Sequence, residues 1–195
     1  MIPRIFHRVV PEVVPARFEA FWERFQELHP GWEFTTWRDP LDATDWELGF
    51  LHERCTAGAQ LAGLVRLEVI WRHGGVYVDM DTEPLRSFEP LLDNECFFGT
   101  EDGTILTDAI FGAVAGHRGI RACIDRFLNG FWHPNPSNTG PRHTTDVLSG
   151  RPDVTVLPKD AFYPYLWTEP HRAGEEFPNS YALHRWNHSW KDWGQ

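Results

Sequence analysis

The sequence predicts an α/β fold in which a mainly parallel sheet is flanked by helices. Two observations carry that expectation. The first forty residues read as strand, helix, strand, and a largely apolar helical stretch then runs into a further strand through Gly74-Gly75. Ile5, Phe6, Val9 and Val10 form the opening strand, closed by Pro11. Pro15 suits a first helical position, and Phe18, Phe21, Trp22, Phe25 and Leu28 recur at helical spacing until Pro30-Gly31 stops them. Trp32 to Trp37 is rich in aromatic and β-branched residues and reads as the second strand.

From Ala57 to His73 the residues Leu61, Leu64, Val65, Leu67, Val69, Ile70 and Trp71 leave little polar face, the pattern of a helix buried on most sides. Arg66 and Glu68 interrupt it. Gly74-Gly75 ends this helix, and Val76-Tyr77-Val78-Asp79-Met80-Asp81 follows as a strand. In an extended strand Tyr77, Asp79 and Asp81 share one face, which would put the two carboxylate α-carbons roughly 6.5 Å apart. Further strand candidates are Cys96–Gly99, Ala109–Val114, Val154–Leu157 and Tyr181–His184, and Ile120–Leu128 reads as an amphipathic helix. His133–Arg142 reads as a proline-, asparagine- and glycine-rich loop. With no repeat or linker in view, one domain over residues 1–195 is expected.

The composition narrows the function. Of 195 residues, 18 are Lys or Arg against 28 Asp or Glu, a net charge of −10 that disfavours nucleic acid and anionic membranes as partners. No stretch approaches the ~20 apolar residues of a transmembrane helix, and the charged, proline-broken N-terminus does not read as a signal peptide. Three cysteines without CxxC spacing point away from disulfides and thiolate zinc, and a reducing cytoplasm is the expected location. Ten tryptophans stand out in so short a chain; aromatic faces pack against sugar rings and bases as well as filling cores.

Two carboxylates one residue apart at the end of a buried strand are costly unless something positive sits beside them. Hard oxygen ligands suit Mg²⁺ or Mn²⁺. The stretch from Leu64 through Arg66, Gly74-Gly75 and Tyr77 to Asp79-Met80-Asp81 resembles the signature of glycosyltransferase family 32, the family of bacterial capsule enzymes and yeast α-mannosyltransferases. The opening Ile2-Pro3-Arg4-Ile5-Phe6-His7 is similar to the family's first strand, and His184 with Ser189-Trp190 to its closing segment.

The resemblance implies a GT-A fold, Rossmann-like, in which residues 1–90 form a nucleotide-sugar-binding half and 91–195 an acceptor half with the closing metal and diphosphate segment. It implies a metal-dependent, retaining transfer of a sugar from a nucleotide diphosphate sugar to a hydroxyl, giving an α-glycoside. Asp79, Asp81 and His184 would hold Mn²⁺ or Mg²⁺, with Asp79, Asp81 and Arg66 as the catalytic set. Donor contacts would come from His7, Val10, Trp37, Arg66, Tyr77, Asp79, Ser189 and Trp190, and acceptor contacts from Glu101, Asp108, Asn138, Thr139 and Gly140. A uridine diphosphate sugar is the first donor expected and guanosine diphosphate mannose the second; the acceptor could be a carbohydrate, a small molecule or a protein. Two positions depart from the family: Gly63 stands where an aspartate binds the donor sugar, and Val10 where many members stack a tryptophan on the base.

Other readings of the same residues stay open. His7 also reads as a hydrogen-bonded structural histidine, Trp37 as core, Arg66 as the buried counter-charge of Asp79, and Asn138-Thr139-Gly140 as an ordinary turn. A nucleotide-sugar hydrolase and a non-catalytic binding module on the same fold are the alternative functions.

Overall fold

The structure is a computed structural model and describes residues 1–42 and 44–187. In chain order it contains β1 (Ile5–Val10), α1 (Ala16–Leu28), β2 (Glu33–Arg38), α2 (Gly58–His73), β3 (Gly75–Val78), β4 (Thr82–Pro84), β5 (Cys96–Thr100), β6 (Leu106–Ala113), α3 (Arg118–Leu128), α4 (Pro136–Thr139), α5 (Pro141–Leu148), β7 (Thr155–Val156) and β8 (Ala182–His184). Six strands form the main sheet in the order β2-β1-β3-β6-β5-β7, and β4 pairs with β8 in a separate ribbon. β1 lies parallel to β2 and β3, and β7 parallel to β5, while β6 runs antiparallel to both of its neighbours. The sheet is therefore mainly parallel, with β6 its one reversed strand.

Strand alternation divides the core between the two faces of this sheet. Tyr77, Phe98 and Phe111 point to one face and pack with α2 and α3 through Leu64, Val65, Ile124 and Phe127. Val76, Val78, Phe97 and Ile110 point to the other, where Trp22 and Phe25 of α1 meet Phe6 and Phe88. The two polar interruptions of α2 both face inward. Arg66 is 4% exposed and Glu68 fully buried, its carboxylate accepting the N–H groups of Glu47 and Leu48 and so pinning the segment that leads into α2. The Gly74-Gly75 turn is sterically required. Both glycines have positive φ, and a Cβ would meet Ala115 N at 2.7 Å or Ile5 O at 2.6 Å.

Two expectations are corrected, and one property appears that no expectation covered. β3 stops at Val78: Asp79 still donates its N–H to Ala109 O, but Thr82 N–H then closes a turn onto Asp79 O, so Asp79 and Asp81 lie in a turn between β3 and β4. Alternation of residue type continued past the point where the chain had to bend toward β8. Residues 133–142 are not simply loop. Asn135 caps Ser137 N–H, and Pro136 and Pro141 occupy first-turn positions of α4 and α5, so the residues that read as breakers act as helix starts. Finally, β6 is antiparallel, a property no local pattern encodes.

His7 is a structural histidine. Its Nε2–H donates to Gly74 O at 3.0 Å and its Nδ1 accepts Trp37 Nε1–H at 3.3 Å, which fixes one neutral tautomer and ties β1 to the helix end. Burial pushes the His7 ring down to about 4, and burial does the same to His143, which bonds Cys123 O. Between the ordinary histidine value near 6.5 and about 4, the unfolded chain binds protons that the folded chain refuses, so stability falls as pH falls through that window. The expected loss is on the order of 3 kcal/mol per ring. Tm measured from pH 7 to pH 4 should drop steadily, with the His7 and His143 ring NMR signals staying neutral down to pH 5; a flat Tm over that range would contradict the assignment.

Candidate active site

At the ends of β3 and β6, the turn 79–81 faces β8 across a cavity of about 320 Å³. Asp79, Asp81, Glu101, Asp108 and His184 all line it. The β4–β8 ribbon makes this meeting possible, because Thr82 is in register with His184. His184 Nε2 lies 3.3 Å from Asp81 Oδ1 and 3.9 Å from Asp79 Oδ2. One ligand atom from each of the three residues falls within 4.8 Å of the others, a set that could hold a cation.

Behind the cavity wall, Arg66 reaches from α2 between two carboxylates. Its guanidinium lies 3.2 Å from Asp79 Oδ1 and 3.4 Å from Asp108 Oδ1, and sits 4.6 Å above the Tyr77 ring. Tyr77 O–H donates to Asp79 Oδ1 at 2.8 Å, so Asp79 is held by two groups from one side while its second oxygen faces His184. Arg66 is thus the buried counter-charge of Asp79, whatever else it contacts. Asp81 is held by backbone: Asn187 N–H donates to its Oδ2 at 2.8 Å and Arg185 N–H to its carbonyl. The first of these bonds rests on Trp186, whose φ of 53° puts a non-glycine residue in the left-handed region at a cost of about 1 kcal/mol.

The electrostatics separate the two aspartates. Burial raises the Asp79 carboxyl above its ordinary value, against the pull of Arg66 and His184. Burial acts on Asp81 in the same sense, but His184 and the Asn187 N–H overcome it and hold Asp81 at about 2. Burial disfavours a charged His184, yet Asp81 and Asp79 raise it above its ordinary value. His184 Nε2 thus faces both carboxylates, and these three residues are the ones that would hold a divalent ion. His184 Nδ1 is buried with no hydrogen-bond partner among the described residues. Two carboxylates and one imidazole are a donor set that a divalent cation accepts.

Other expected site residues lie elsewhere. Val10 is completely buried, and Trp37 donates its indole N–H to His7. Asn138 lines a neighbouring cavity with Phe131 and Arg142, and Thr139 is buried. A Cβ at Gly140 would lie 3.1 Å from Asp108 Oδ2, so this glycine lets the α4–α5 junction close over that carboxylate. At Gly63 a Cβ would lie 3.8 Å from Thr139 O, which places the departing position beneath α4. Ser189 and Trp190 lie outside the described residues. The sequence reading missed Ser137, Tyr163, Trp167 and Trp186, which also line the cavity. Trp186, two residues past His184, and Ser137, beside Asn138, each had a signal nearby.

Residues 15–98 match the model of a family described as the glycosyltransferase sugar-binding region containing the DXD motif. That segment belongs to this family. Asp79-Met80-Asp81 is its DXD motif, and the turn above is the structure of the motif. The human alpha-1,4-N-acetylglucosaminyltransferase is 27% identical over 143 residues, 63% of this chain and 41% of its own length. A gorilla lactosylceramide 4-alpha-galactosyltransferase is 25% identical over 148 residues, 65% of this chain and 44% of its own. The chain thus spans less than half of each. The solved PaToxG glycosyltransferase superposes with a TM-score of 0.60 at 14% identity, covering 75% of this chain and 69% of that one, which shows a shared GT-A fold. No helix among the described residues is long and apolar enough to cross a membrane.

Removing Arg66 would leave the buried Asp79 and Asp108 facing each other without a cation, and breaking a buried pair in this way costs about 3–5 kcal/mol. Arg66→Met should therefore melt well below the unsubstituted protein in chelator, and Mn²⁺ should restore part of the loss. Equal Tm values in chelator would show that Arg66 does not neutralise the DXD turn.

Proposed function

We propose that this chain is a metal-dependent retaining glycosyltransferase, moving a sugar from a nucleotide diphosphate sugar to a hydroxyl acceptor to give an α-glycoside. The observation that carries the reading is the convergence of Asp79, Asp81 and His184 within 4.8 Å at the mouth of a cavity of about 320 Å³. Membership of the segment in the DXD family supports it, as do relatives that bear the names of α-transferases.

Asp81 and His184 are the principal ligands in this reading, and Asp79, drawn back by Arg66 and Tyr77, offers its Oδ2. When bound, Mn²⁺ or Mg²⁺ supplies positive charge against the diphosphate as it leaves. The low Asp81 value keeps this ligand ionised across the physiological range. The nucleoside belongs in the cavity of about 470 Å³ past the ends of β1 and β2, where Pro11 and Asp39 face the start of α2. Ser189 and Trp190 are proposed diphosphate contacts. The acceptor enters beside Glu101 and Asp108, with residues 138–140 bracketing that wall. Its oxygen bonds to the anomeric carbon as the bond to the diphosphate breaks on the same face, and its proton passes to the departing phosphate oxygen. No protein base is needed, and front-face attack retains the α configuration.

The sugars in the relatives' names, N-acetylglucosamine and galactose, are carried on uridine diphosphate, which favours a uridine donor over guanosine diphosphate mannose. The thiols of Cys96 and Cys123 are buried and unpaired, which supports a reducing compartment such as the cytoplasm.

Thermal melting against uridine and guanosine nucleotides and their sugars, with Mn²⁺ and with chelator, tests this function. A ligand at one hundred times its dissociation constant should stabilise by roughly 2.7 kcal/mol, a shift of several degrees for a domain of this size. One nucleotide class should produce the shift, only with metal, and Asp81→Ala should abolish it along with transfer. A shift of equal size in Asp81→Ala, or none with any nucleotide, would overturn the proposal.

A further inference from the structure

The cavity beside the DXD turn carries an aromatic surface that the transfer chemistry above leaves unused. Trp167 lines the cavity and is 57% exposed, whereas Tyr163 behind it is completely buried. An indole exposed at the mouth of a cavity lined by acids offers a flat apolar face with carboxylates in the same cavity. Trp167 stands on a locked loop. Leu166 N–H donates to Glu169 Oε2 at 2.9 Å and Glu169 N–H to Leu166 O at 2.8 Å, closing a two-bond clamp around Trp167 and Thr168. The preceding residues are tied at two further points, Arg172 to Pro164 O at 2.9 Å and Trp186 Nε1–H to Tyr165 O at 3.0 Å. The second tie joins the loop to the strap that holds Asp81.

A rigid aromatic face loses little entropy on binding, and an indole takes the apolar C–H face of a pyranose while nearby carboxylates accept its hydroxyls. Glu101, which lines the same cavity, provides such a carboxylate. We propose that Trp167 is the platform for the acceptor, and that the acceptor presents a pyranose ring to it. The inference rests on the transferase reading above but concerns the acceptor side alone.

The test uses the full chain with Mn²⁺ and uridine diphosphate, titrated with the methyl α- and β-glycosides of glucose, galactose, mannose and N-acetylglucosamine. Saturation-transfer NMR reads glycoside binding, and electron paramagnetic resonance reads Mn²⁺ binding separately. At least one glycoside should bind, Trp167→Ala should weaken it tenfold or more, and Trp167→Phe should stay within about threefold, with Mn²⁺ affinity unchanged in both variants. Equal glycoside affinity in Trp167→Ala overturns the platform, as does the absence of binding by every glycoside. Loss of Mn²⁺ binding in the unsubstituted protein would instead overturn the metal-site reading, and the glycoside titration would still decide the platform.

Discussion

Asp79, in the turn that follows β3, and Asp108, on β6, share a single cation, and Arg66 is that cation. From α2 it reaches Asp79 and Asp108 at once, resting on the Tyr77 ring while Tyr77 itself bonds Asp79. Take it away and the ends of β3 and β6 would repel each other at the point where they pair. The cost of burying a guanidinium is met because it sees two carboxylates and also donates to the carbonyls of Ala62 and Asp108. The strand ends, the DXD turn and the cavity wall thus share one ion.

Against this fixed side stands a side assembled from backbone. Arg185 and Asn187 give their N–H groups to Asp81, and His184 is brought opposite by the β4–β8 ribbon. Asp79 is held by side chains that originate in the main sheet and its helix, whereas Asp81 is held by the strand that arrives last in the chain. The opposite pKa directions of the two aspartates follow from that division.

Much of this was legible in the residues. α2 announced itself by an apolar pattern on nearly every face, and its two polar exceptions, Arg66 and Glu68, proved to be inward charges with assigned partners. The DXD pair stood out by type and spacing, His184 only through the resemblance to glycosyltransferase family 32, and the structure brings the three together. The turn at 79–81 was hidden because valine, tyrosine and aspartate keep alternating while the backbone leaves the strand. α4 and α5 were hidden because proline and asparagine carry both loop and helix-start meanings, and only the neighbours decide. Trp167 was invisible: a tryptophan among prolines and tyrosines has no period, and its value comes from a loop closed by hydrogen bonds that no spacing encodes.

The β4–β8 ribbon has one more consequence. Its partners, and the bond from Asn187 to Asp81 that spans 106 positions, join segments with three of the six main-sheet strands, β5, β6 and β7, between them in sequence. Closing so long a loop is entropically unfavourable until the intervening chain has condensed. Until the chain between them condenses, the acidic pair stands without His184 beside it. The three residues that could hold a cation are thus completed by a contact of long sequence separation, which closes only once the intervening chain has condensed.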